Sequence, residues 1–318
     1  MKTIIITEGD PCGISYEILD KSHAMIKKFS NTHRFILVKS QKTINSKIKF
    51  KNIEYIRDLE YTNIPGLYCY ENIIFKSKEE KSLVPGKPSK ISGKASYSSL
   101  IKGIEIQKIT KGNILTLPLS KEWVMKSGIS NFTGHTETLA EMYGKNTFML
   151  MQGKKFSVVP MTTHISLLSV PFLLRKFKAK LFALSLIKSK LFKNPRIAVA
   201  GLNPHAGENG KIGNEENKIL KPMIKIMKNE GLTVDGPISA DSLFTDELRN
   251  SYDIIMVGYH DQGLIPFKAL EGKNGINITL GLDFLRVSPD HGTAFGIANK
   301  GIANPDSVKR CIEMLCNI

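Results

Sequence analysis

The 318-residue sequence contains four cysteines and one tryptophan. The cysteines, at positions 12, 69, 311 and 316, lack the C-x-x-C spacing of a zinc site and are too few to form a disulfide framework for a chain of this length. The opening residues have too short an apolar run for a signal peptide, and charged side chains interrupt the most apolar region, residues 156–187. We therefore expect reduced thiols, no membrane association and a cytoplasmic location.

Arginine is also scarce, with seven residues in the whole chain, although the formal net charge is +16. The excess is almost entirely lysine, scattered along the chain rather than clustered with aromatic residues as in a nucleic-acid-binding face. We therefore expect no nucleic-acid partner. A general positive field favours instead the capture of phosphorylated or carboxylated metabolites.

What is present is a pattern of short β-branched runs that alternate with longer amphipathic stretches. This pattern is typical of α/β proteins, in which helices cover a largely parallel sheet. The predicted strands are residues 3–7, 34–38, 114–117, 156–160, 196–201, 253–258 and 276–280. The predicted helices are residues 14–29, 95–110, 137–143, 167–187, 215–229 and 306–316, and residues 76–93 are predicted to form a surface loop.

The first predicted strand leads into a glycine-containing turn, residues 8–13, and then a helix, as in a dinucleotide-binding fold. The glycines, at 9 and 13, do not form G-x-G-x-x-G, and the next strand ends at Val38-Lys39-Ser40 without the acid that would hold a ribose. The alternative is a tight turn in which glycine permits a positive φ. We expect a nicotinamide cofactor to bind elsewhere.

Three of the seven histidines follow predicted strands directly: His164, His205 and His260. Ligands bind at the carboxyl edge of open α/β sheets, so separate strands could deliver these three side chains to one place. Three neutral imidazoles suit Zn²⁺ or a similar divalent metal, with one coordination position left for substrate. The alternative for each histidine alone is a hydrogen-bonded loop residue.

Acidic and basic residues near these histidines suggest further roles. Acids that could orient the imidazoles are Asp261, Glu208 and Asp241, although Asp241 could instead cap the following helix. Basic and amide side chains follow His260 at Lys268, Asn277 and Arg286, and Gly134-His135-Thr136-Glu137 opens a predicted helix whose free N–H groups favour an anion. For any single lysine, solvated surface is the alternative.

Six ordered segments together resemble the 4-hydroxythreonine-4-phosphate dehydrogenase family of pyridoxal phosphate synthesis. They run from residue 7 to about residue 305, and are Thr7-Glu8-Gly9-Asp10-Pro11-Cys12-Gly13-Ile14, Gly134-His135-Thr136-Glu137, Thr163-His164-Ile165, Gly201 to Glu208, Gly236 to Asp241, and His260 to Leu264 with Asp290 to Ala294. The resemblance implies an isocitrate/isopropylmalate dehydrogenase-like fold of two α/β domains, with the active site in the cleft between them. The predicted domains are residues 1–125 with 288–318, and residues 126–287.

The resemblance also implies an activity, its cofactors and its site residues. The reaction is the NAD- or NADP-dependent oxidation of 4-phosphooxy-L-threonine at C3, followed by decarboxylation to 3-amino-2-oxopropyl phosphate. A homodimer would share its active site between subunits and use a divalent metal, with Zn²⁺ favoured over Mg²⁺ or Co²⁺. The implied residues are His164, His205 and His260 for the metal, His135, Thr136, Lys268, Asn277 and Arg286 for the substrate, Lys268, Asp241 and Asp261 for catalysis, and His291, Gly292, Thr293, Ala294 and Asn304 for the cofactor.

Three departures from the family pattern affect the first turn and the cofactor loop: Ile14-Ser15-Tyr16-Glu17 in place of Ile-Gly-Pro-Glu, Gly296 in place of an acid, and Asn299 in place of a glycine. The nearest alternative function is a dehydrogenase of 4-phosphothreonate or 4-phosphoerythronate. A metal hydrolase that uses three histidines is another, and a noncatalytic metabolite-binding protein is a third.

Overall fold

The computed structural model describes residues 1–61 and 64–317, and the side chains of residues 60 and 61 are not described. The strands, in chain order, are β1 Thr3–Thr7, β2 Arg34–Lys39, β3 Lys51–Ile53, β4 Gly66–Glu71, β5 Asn113–Thr116, β6 Phe148–Gln152, β7 Ser157–Pro160, β8 Arg196–Ala200, β9 Thr233–Ile238, β10 Ile254–Val257, β11 Ile276–Leu280 and β12 Arg286–Pro289.

The α-helices alternate with these strands. They are α1 Ser15–Lys21, α2 His23–Phe29, α3 Asp58–Tyr61, α4 Ser77–Glu80, α5 Lys90–Thr110, α6 Lys121–Lys126, α7 His135–Tyr143, α8 Val170–Leu174, α9 Ala179–Ser189, α10 Lys221–Asn229, α11 Ala240–Leu243, α12 Asp246–Arg249, α13 His260–Glu271 and α14 Asp306–Asn317. Among the helices of the described residues, none combines the length and the apolar character that a membrane crossing requires.

The chain forms two compact units. The first consists of residues 1–144 and 283–318. Its strands lie in the order β3-β4-β2-β1-β5-β12, and neighbouring strands run parallel. β1 and β2 are buried at every position, as expected for central strands of a parallel sheet whose two faces are covered.

The second unit consists of residues 145–282. Its strands lie in the order β11-β6-β7-β10-β8-β9. β7, β10, β8 and β9 pair in parallel, whereas β6 pairs antiparallel with both β11 and β7. The carboxyl ends of β7, β10 and β8 therefore lie side by side, which brings the segments that carry the three histidines to one edge of this sheet.

The prediction of an α/β protein with largely parallel strands is confirmed. Each of the seven predicted strands is present within one or two residues, but β3, β4, β6, β9 and β12 were not predicted. The predicted helix 14–29 is divided at Ser22 into α1 and α2, and the helix 167–187 is divided into a 3-10 turn, α8 and α9. Residues 76–93 contain α4 and the first turn of α5 rather than a loop throughout. The predicted domain boundaries at 125/126 and 287/288 stay a prediction.

Candidate functional site

The imidazoles of His164 and His260 lie together in the second unit. Their ring centroids are 5.6 Å apart, and the ring planes are inclined at 38°. His164 follows β7 and His260 begins α13 directly after β10, and Pro160 of β7 is paired with Val257 of β10. Both side chains line a cavity of about 370 Å³. Two neighbouring parallel strands thus bring together two of the three histidines that the sequence singled out.

The chemistry of this pair suits a divalent metal. Nδ1 of His260 lies 2.7 Å from Oδ1 of Asp261, and a carboxylate in this position orients an imidazole so that its other nitrogen is presented to a metal. Two imidazoles bound to one tetrahedral Zn²⁺ through bonds of about 2 Å have ring centres roughly 5 Å apart. The observed separation is close to this value, so His164 and His260 fit as two ligands of one ion.

His205 lies on an unusual segment after β8. Residues 205–209 all have positive φ, between 41° and 79°, and therefore form a left-handed turn. Only one of the five is a glycine, Gly207, and a non-glycine residue in this conformation costs on the order of 1–3 kcal/mol. The surrounding structure must hold this strain. Asp241 lies near His205, and hydrogen bonds from Ser239 and from the amide of Ser242, with a smaller contribution from His205, lower the pKa of Asp241.

The structure does not bring His205 together with the other two histidines in one chain. Within residues 1–61 and 64–317, no group of three or more His, Cys, Asp or Glu side chains is placed to hold a metal ion. The strand order gives a physical reason: β10 lies between β7 and β8, and neighbouring strands are about 4.8 Å apart. The segments after β7 and β8 thus start roughly 10 Å apart. A three-histidine site assembled from two chains stays a prediction.

The first unit contains a buried cationic site at Arg286. The Nε and Nη2 atoms of Arg286 donate to Oγ1 of Thr116 over 3.1 and 2.6 Å, and Nη1 lies 3.5 Å from Oγ1 of Thr136. Desolvation lowers the pKa of Arg286 to about 10, which leaves the guanidinium charged at neutral pH. The buried charge lies beside the first turn of α7, whose free N–H groups also favour an anion.

His135, the first residue of α7, completes this arrangement. Burial, together with the charges of Arg286 and Lys121, holds the pKa of His135 well below its ordinary value. The ring is therefore neutral at pH 7. Its Nε2 atom is buried without a hydrogen-bond partner among the described residues. A buried, unpartnered ring nitrogen beside a cationic site is typical of a group that binds a ligand.

The remaining two predicted substrate residues, Lys268 and Asn277, belong to the second unit. Lys268 is exposed on α13, and Asn277 lies on β11 opposite Met151 of β6. The Oδ1 atom of Asn277 is buried and has no hydrogen-bond partner in the described part of the chain. This oxygen is an acceptor that a bound ligand could satisfy.

The predicted cofactor loop, residues 291–304, packs against the first turn of the chain. The amide of Ile14 donates to the carbonyl oxygen of Thr293 over 3.0 Å. Lys21 donates to the carbonyl oxygens of Gly301 and Ala303 over 2.8 and 2.7 Å. Within the loop, Nδ1 of His291 lies close to the carbonyl oxygen of Gly292. Directly after it, the amide of Asp306 donates a hydrogen bond to Oδ1 of Asn304. Ala294 and Asn299 have positive φ. Beside the loop lies a cavity of about 480 Å³, lined in part by Gly13, Asn299 and Gly301.

A buried polar cluster under the first turn was not found from the sequence. Glu8 accepts hydrogen bonds from Oη of Tyr16, the amide of Ser40 and Nε2 of Gln41, over 2.6, 2.7 and 3.1 Å. Burial raises the pKa of Glu8 to about 7. Tyr16 belongs to the departure at residues 14–17, so this departure was the available signal, but the acceptor for its hydroxyl could not be identified without the fold.

Comparison with known proteins assigns the chain to a known group. The family model described as pyridoxal phosphate biosynthetic protein PdxA matches residues 20–315. A 4-hydroxythreonine-4-phosphate dehydrogenase from Sulfurihydrogenibium sp. is 37% identical over 99% of this chain and 97% of its own length. A protein from Oceanobacillus iheyensis, provisionally named D-threonate 4-phosphate dehydrogenase, is 36% identical over 97% of this chain and 95% of its own.

Solved structures agree with these sequence relationships. The crystal structure of 4-hydroxythreonine-4-phosphate dehydrogenase from Klebsiella pneumoniae superposes with a TM-score of 0.79, at 32% identity over 99% of this chain and 97% of that one. An isocitrate dehydrogenase from Methylococcus capsulatus, at 13% identity and a TM-score of 0.50, shares the fold.

Proposed function

The chain belongs to the PdxA family of pyridoxal phosphate biosynthetic proteins, and from this premise we propose that it oxidises 4-phosphooxy-L-threonine. The C3 hydrogen leaves as hydride to the nicotinamide of NAD⁺ or NADP⁺, and the C3 hydroxyl loses its proton. The bond between C1 and C2 of the resulting 3-oxo acid then breaks. The carboxylate leaves as carbon dioxide, and C2 takes up a proton. The products are 3-amino-2-oxopropyl phosphate and the reduced cofactor.

The observation that carries this proposal is the buried guanidinium of Arg286 beside the start of α7. A phosphate ester is the kind of ligand that a fixed guanidinium and the free N–H groups of a helix N-terminus bind together. Two nitrogens of the guanidinium donate hydrogen bonds to Oγ1 of Thr116, which holds the group in place. We assign Arg286, Thr136 and His135 to the anionic end of the substrate, and Lys268 and Asn277 to its other polar groups.

The metal site in this proposal consists of His164, His205 and His260, with the three ligands drawn from two copies of the chain in a homodimer. These histidines would hold Zn²⁺, or Mg²⁺ or Co²⁺ in its place, and such an ion would supply Lewis-acid chemistry that makes a hydroxyl more acidic. His164 and His260 come from one chain, in which Asp261 orients His260. We also assign Asp241, whose charge interacts with that of His205, to this histidine.

The proton transfers are assigned to Lys268, because an amine on α13 can both accept and donate a proton. Because His135 is neutral, it can contribute a hydrogen bond without placing a second positive charge beside Arg286. For the cofactor, we propose His291, Gly292, Thr293, Ala294 and Asn304, with the adenosine half in the cavity beside the loop.

The test is an assay for reduced nicotinamide with purified protein, 4-phosphooxy-L-threonine, NAD⁺ or NADP⁺ and each of Zn²⁺, Mg²⁺ and Co²⁺. We expect metal-dependent reduction that a chelator abolishes. The variant Arg286→Lys keeps the charge but loses the planar geometry, and should raise KM for the substrate about 100-fold. Its control is Arg196→Lys at an exposed arginine of β8. Release of phosphate without nicotinamide reduction would favour a metal hydrolase instead, and binding without turnover a noncatalytic protein.

A second candidate substrate follows from the relative in Oceanobacillus iheyensis. D-threonate 4-phosphate carries a hydroxyl where 4-phosphooxy-L-threonine carries an amine, and the phosphate contacts proposed here would serve both molecules. A ratio of kcat/KM for the amino acid over the hydroxy acid above one supports the first proposal. A ratio below one would assign the chain to oxidation of the hydroxy acid.

A further inference from the structure

The left-handed turn that carries His205 has no apolar core of its own. His205, Glu208 and Asn209 are exposed, and Gly207 is the buried residue within the turn. Four of these five successive residues are not glycine, and they would not hold this conformation unaided. Groups outside the turn must therefore fix it.

Two neighbouring carboxylates restrain the residues that lead into the turn: Oε2 of Glu215 accepts from Nδ2 of Asn203 over 2.8 Å, and the buried carboxylate of Glu216 makes the larger number of contacts. Oε1 of Glu216 accepts hydrogen bonds from the backbone amides of Leu202 and Asn203, over 2.9 and 2.7 Å, and Oε2 accepts from Nδ2 of Asn203 over 3.0 Å. Glu216 is only 2% exposed. It therefore fixes the two residues that lead into the turn, with charge-assisted hydrogen bonds in a buried setting.

The same carboxylate also packs against the middle of the turn. A Cβ atom added to Gly207 would lie 2.6 Å from Oε2 of Glu216, so only a glycine fits between the carboxylate and the chain. Glu216 begins a π-helical turn, Glu216–Leu220, ahead of α10. Such turns are rare and occur often at functional sites. Glu216 thus contacts the turn at its entrance and at its centre.

We propose that Glu216 is the positioning residue for His205. Its carboxylate holds residues 202–207 in the conformation that presents the His205 imidazole to a divalent metal, so that the metal does not have to order this segment when it binds. The inference rests on the proposed function in one respect, because that proposal makes His205 a metal ligand.

The chain offers a matched control in Glu271. Its carboxylate is also buried, 3% exposed, and also accepts backbone hydrogen bonds, from the amides of Lys154, Lys155 and Phe156 over 2.8, 2.8 and 3.3 Å. It lies in the same unit but restrains the connection between β6 and β7, which carries no histidine. Glu271→Gln therefore measures how the loss of a buried carboxylate charge affects the chain when that carboxylate does not contact the segment of His205.

The experiment titrates the full-length metal-free chain with Co²⁺ and follows the visible absorption of the bound ion and the heat of binding. We expect Glu216→Gln to weaken Co²⁺ binding about 10-fold and Glu216→Asp about 3-fold, as for other residues that orient metal ligands. Glu271→Gln should bind Co²⁺ like the parent chain, and His205→Ala gives the reference for a lost ligand. Hydrogen exchange without metal should accelerate in residues 202–209 of Glu216→Gln, and in residues 154–156 of Glu271→Gln.

Two results would overturn the inference, and they differ in what else they affect. If Glu216→Gln and Glu216→Asp loosen residues 202–209 but bind Co²⁺ like the parent chain, while His205→Ala does not, Glu216 is structural only and the proposed metal ligands stand. If His205→Ala itself binds Co²⁺ like the parent chain, the assignment of His205 as a ligand fails together with the inference. Should Glu216→Gln not fold, Glu216→Asp carries the comparison.

Discussion

The backbone amide of Ile14 donates a hydrogen bond to the carbonyl oxygen of Thr293 over 3.0 Å. This bond joins the first turn of the chain to the loop proposed to bind the cofactor, although the two residues are far apart in sequence. Gly13 makes the contact possible, because a Cβ atom at that position would lie 2.7 Å from the same oxygen. The first turn therefore packs directly against this loop.

The first prediction concerns this contact. Gly13→Ala should displace residue 293 and raise KM for the nicotinamide cofactor about tenfold, equivalent to roughly 1.4 kcal/mol of binding energy, with a smaller effect on KM for the phosphorylated substrate. Steady-state kinetics with each component varied in turn measures both values. Gly296→Ala is the control, since its Cβ would enter open space in the same loop. Equal cofactor KM values for the two variants would contradict the proposed support.

The second prediction concerns the residue that holds Arg286. Thr116→Val removes the acceptor of two guanidinium N–H groups in a buried site, and should cost about 1–3 kcal/mol of stability and raise KM for the phosphorylated substrate. Its control lies directly opposite on the neighbouring strand β1, where Thr7 pairs with Thr116. Oγ1 of Thr7 is buried with no hydrogen-bond partner in the described residues.

Thr7→Val should therefore be neutral or stabilising, because it replaces an unsatisfied hydroxyl with a methyl group. Thermal unfolding and substrate kinetics of both variants measure the two effects. The interpretation of Thr116 would be wrong if the two variants had the same melting temperature and the same KM.

The third prediction concerns the carboxylate beside His260. Asp261→Asn should lower the affinity for divalent metal about 10-fold, because the amide orients the imidazole less strongly than the carboxylate at 2.7 Å does. The measurement is the metal retained after dialysis against a graded series of chelator concentrations. Asp235→Asn, at an acid on β9 that lies 3.9 Å from Arg196, is the control. Identical retention by the two variants would remove the role given to Asp261.

The fourth prediction is a pH dependence of stability that originates at Glu8. Its pKa is about 7 in the folded chain against the ordinary value of 4.5, so the folded state keeps a proton that the unfolded state loses between these pH values. The contribution of Glu8 to stability is therefore fully present below about pH 4.5, falls as the pH rises toward 7 and is constant above it. The total change is on the order of 3 kcal/mol.

Glu8→Gln cannot titrate, so its stability relative to the parent chain should improve from pH 5 to pH 8. The melting temperatures of both proteins across this range measure the difference, and Glu122→Gln, at an exposed residue of α6, is the control. A parent-to-variant difference that stays constant with pH would show that Glu8 is ionised throughout.

Local sequence patterns predicted much of the central sheets. β1, β2, β8 and β10 are short β-branched runs that lie buried in the structure, and burial on both faces is what such runs indicate. β12 was missed because it contains a buried arginine and ends in proline. Its membership of the sheet depends on pairing with β5, and no local pattern encodes that pairing.

The candidate site shows the same contrast between short motifs, which the sequence reveals, and contacts between distant residues, which it does not. The sequence identified Gly134-His135-Thr136 as a helix start, and α7 begins at His135. It also singled out His164 and His260, which lie together because their strands are neighbours. It did not identify Thr116, Glu216 or the acceptor for Tyr16. Thr116 and the acceptor for Tyr16 act through hydrogen bonds to residues distant in the chain. Glu216 acts by stabilising the backbone conformation of a neighbouring segment.

The amino-acid sequence by itself determined the α/β class, the helix start at residue 135 and the ordered motifs that place the chain in its family. These features depend on residue types at short spacings, which the chain carries whatever its tertiary structure. Only the tertiary structure decided that residues 205–209 are left-handed, that Arg286 is buried against Thr116 and that the buried carboxyl of Glu8 accepts a hydrogen bond from Tyr16. These features arise where burial removes water from polar groups and leaves distant residues as their partners.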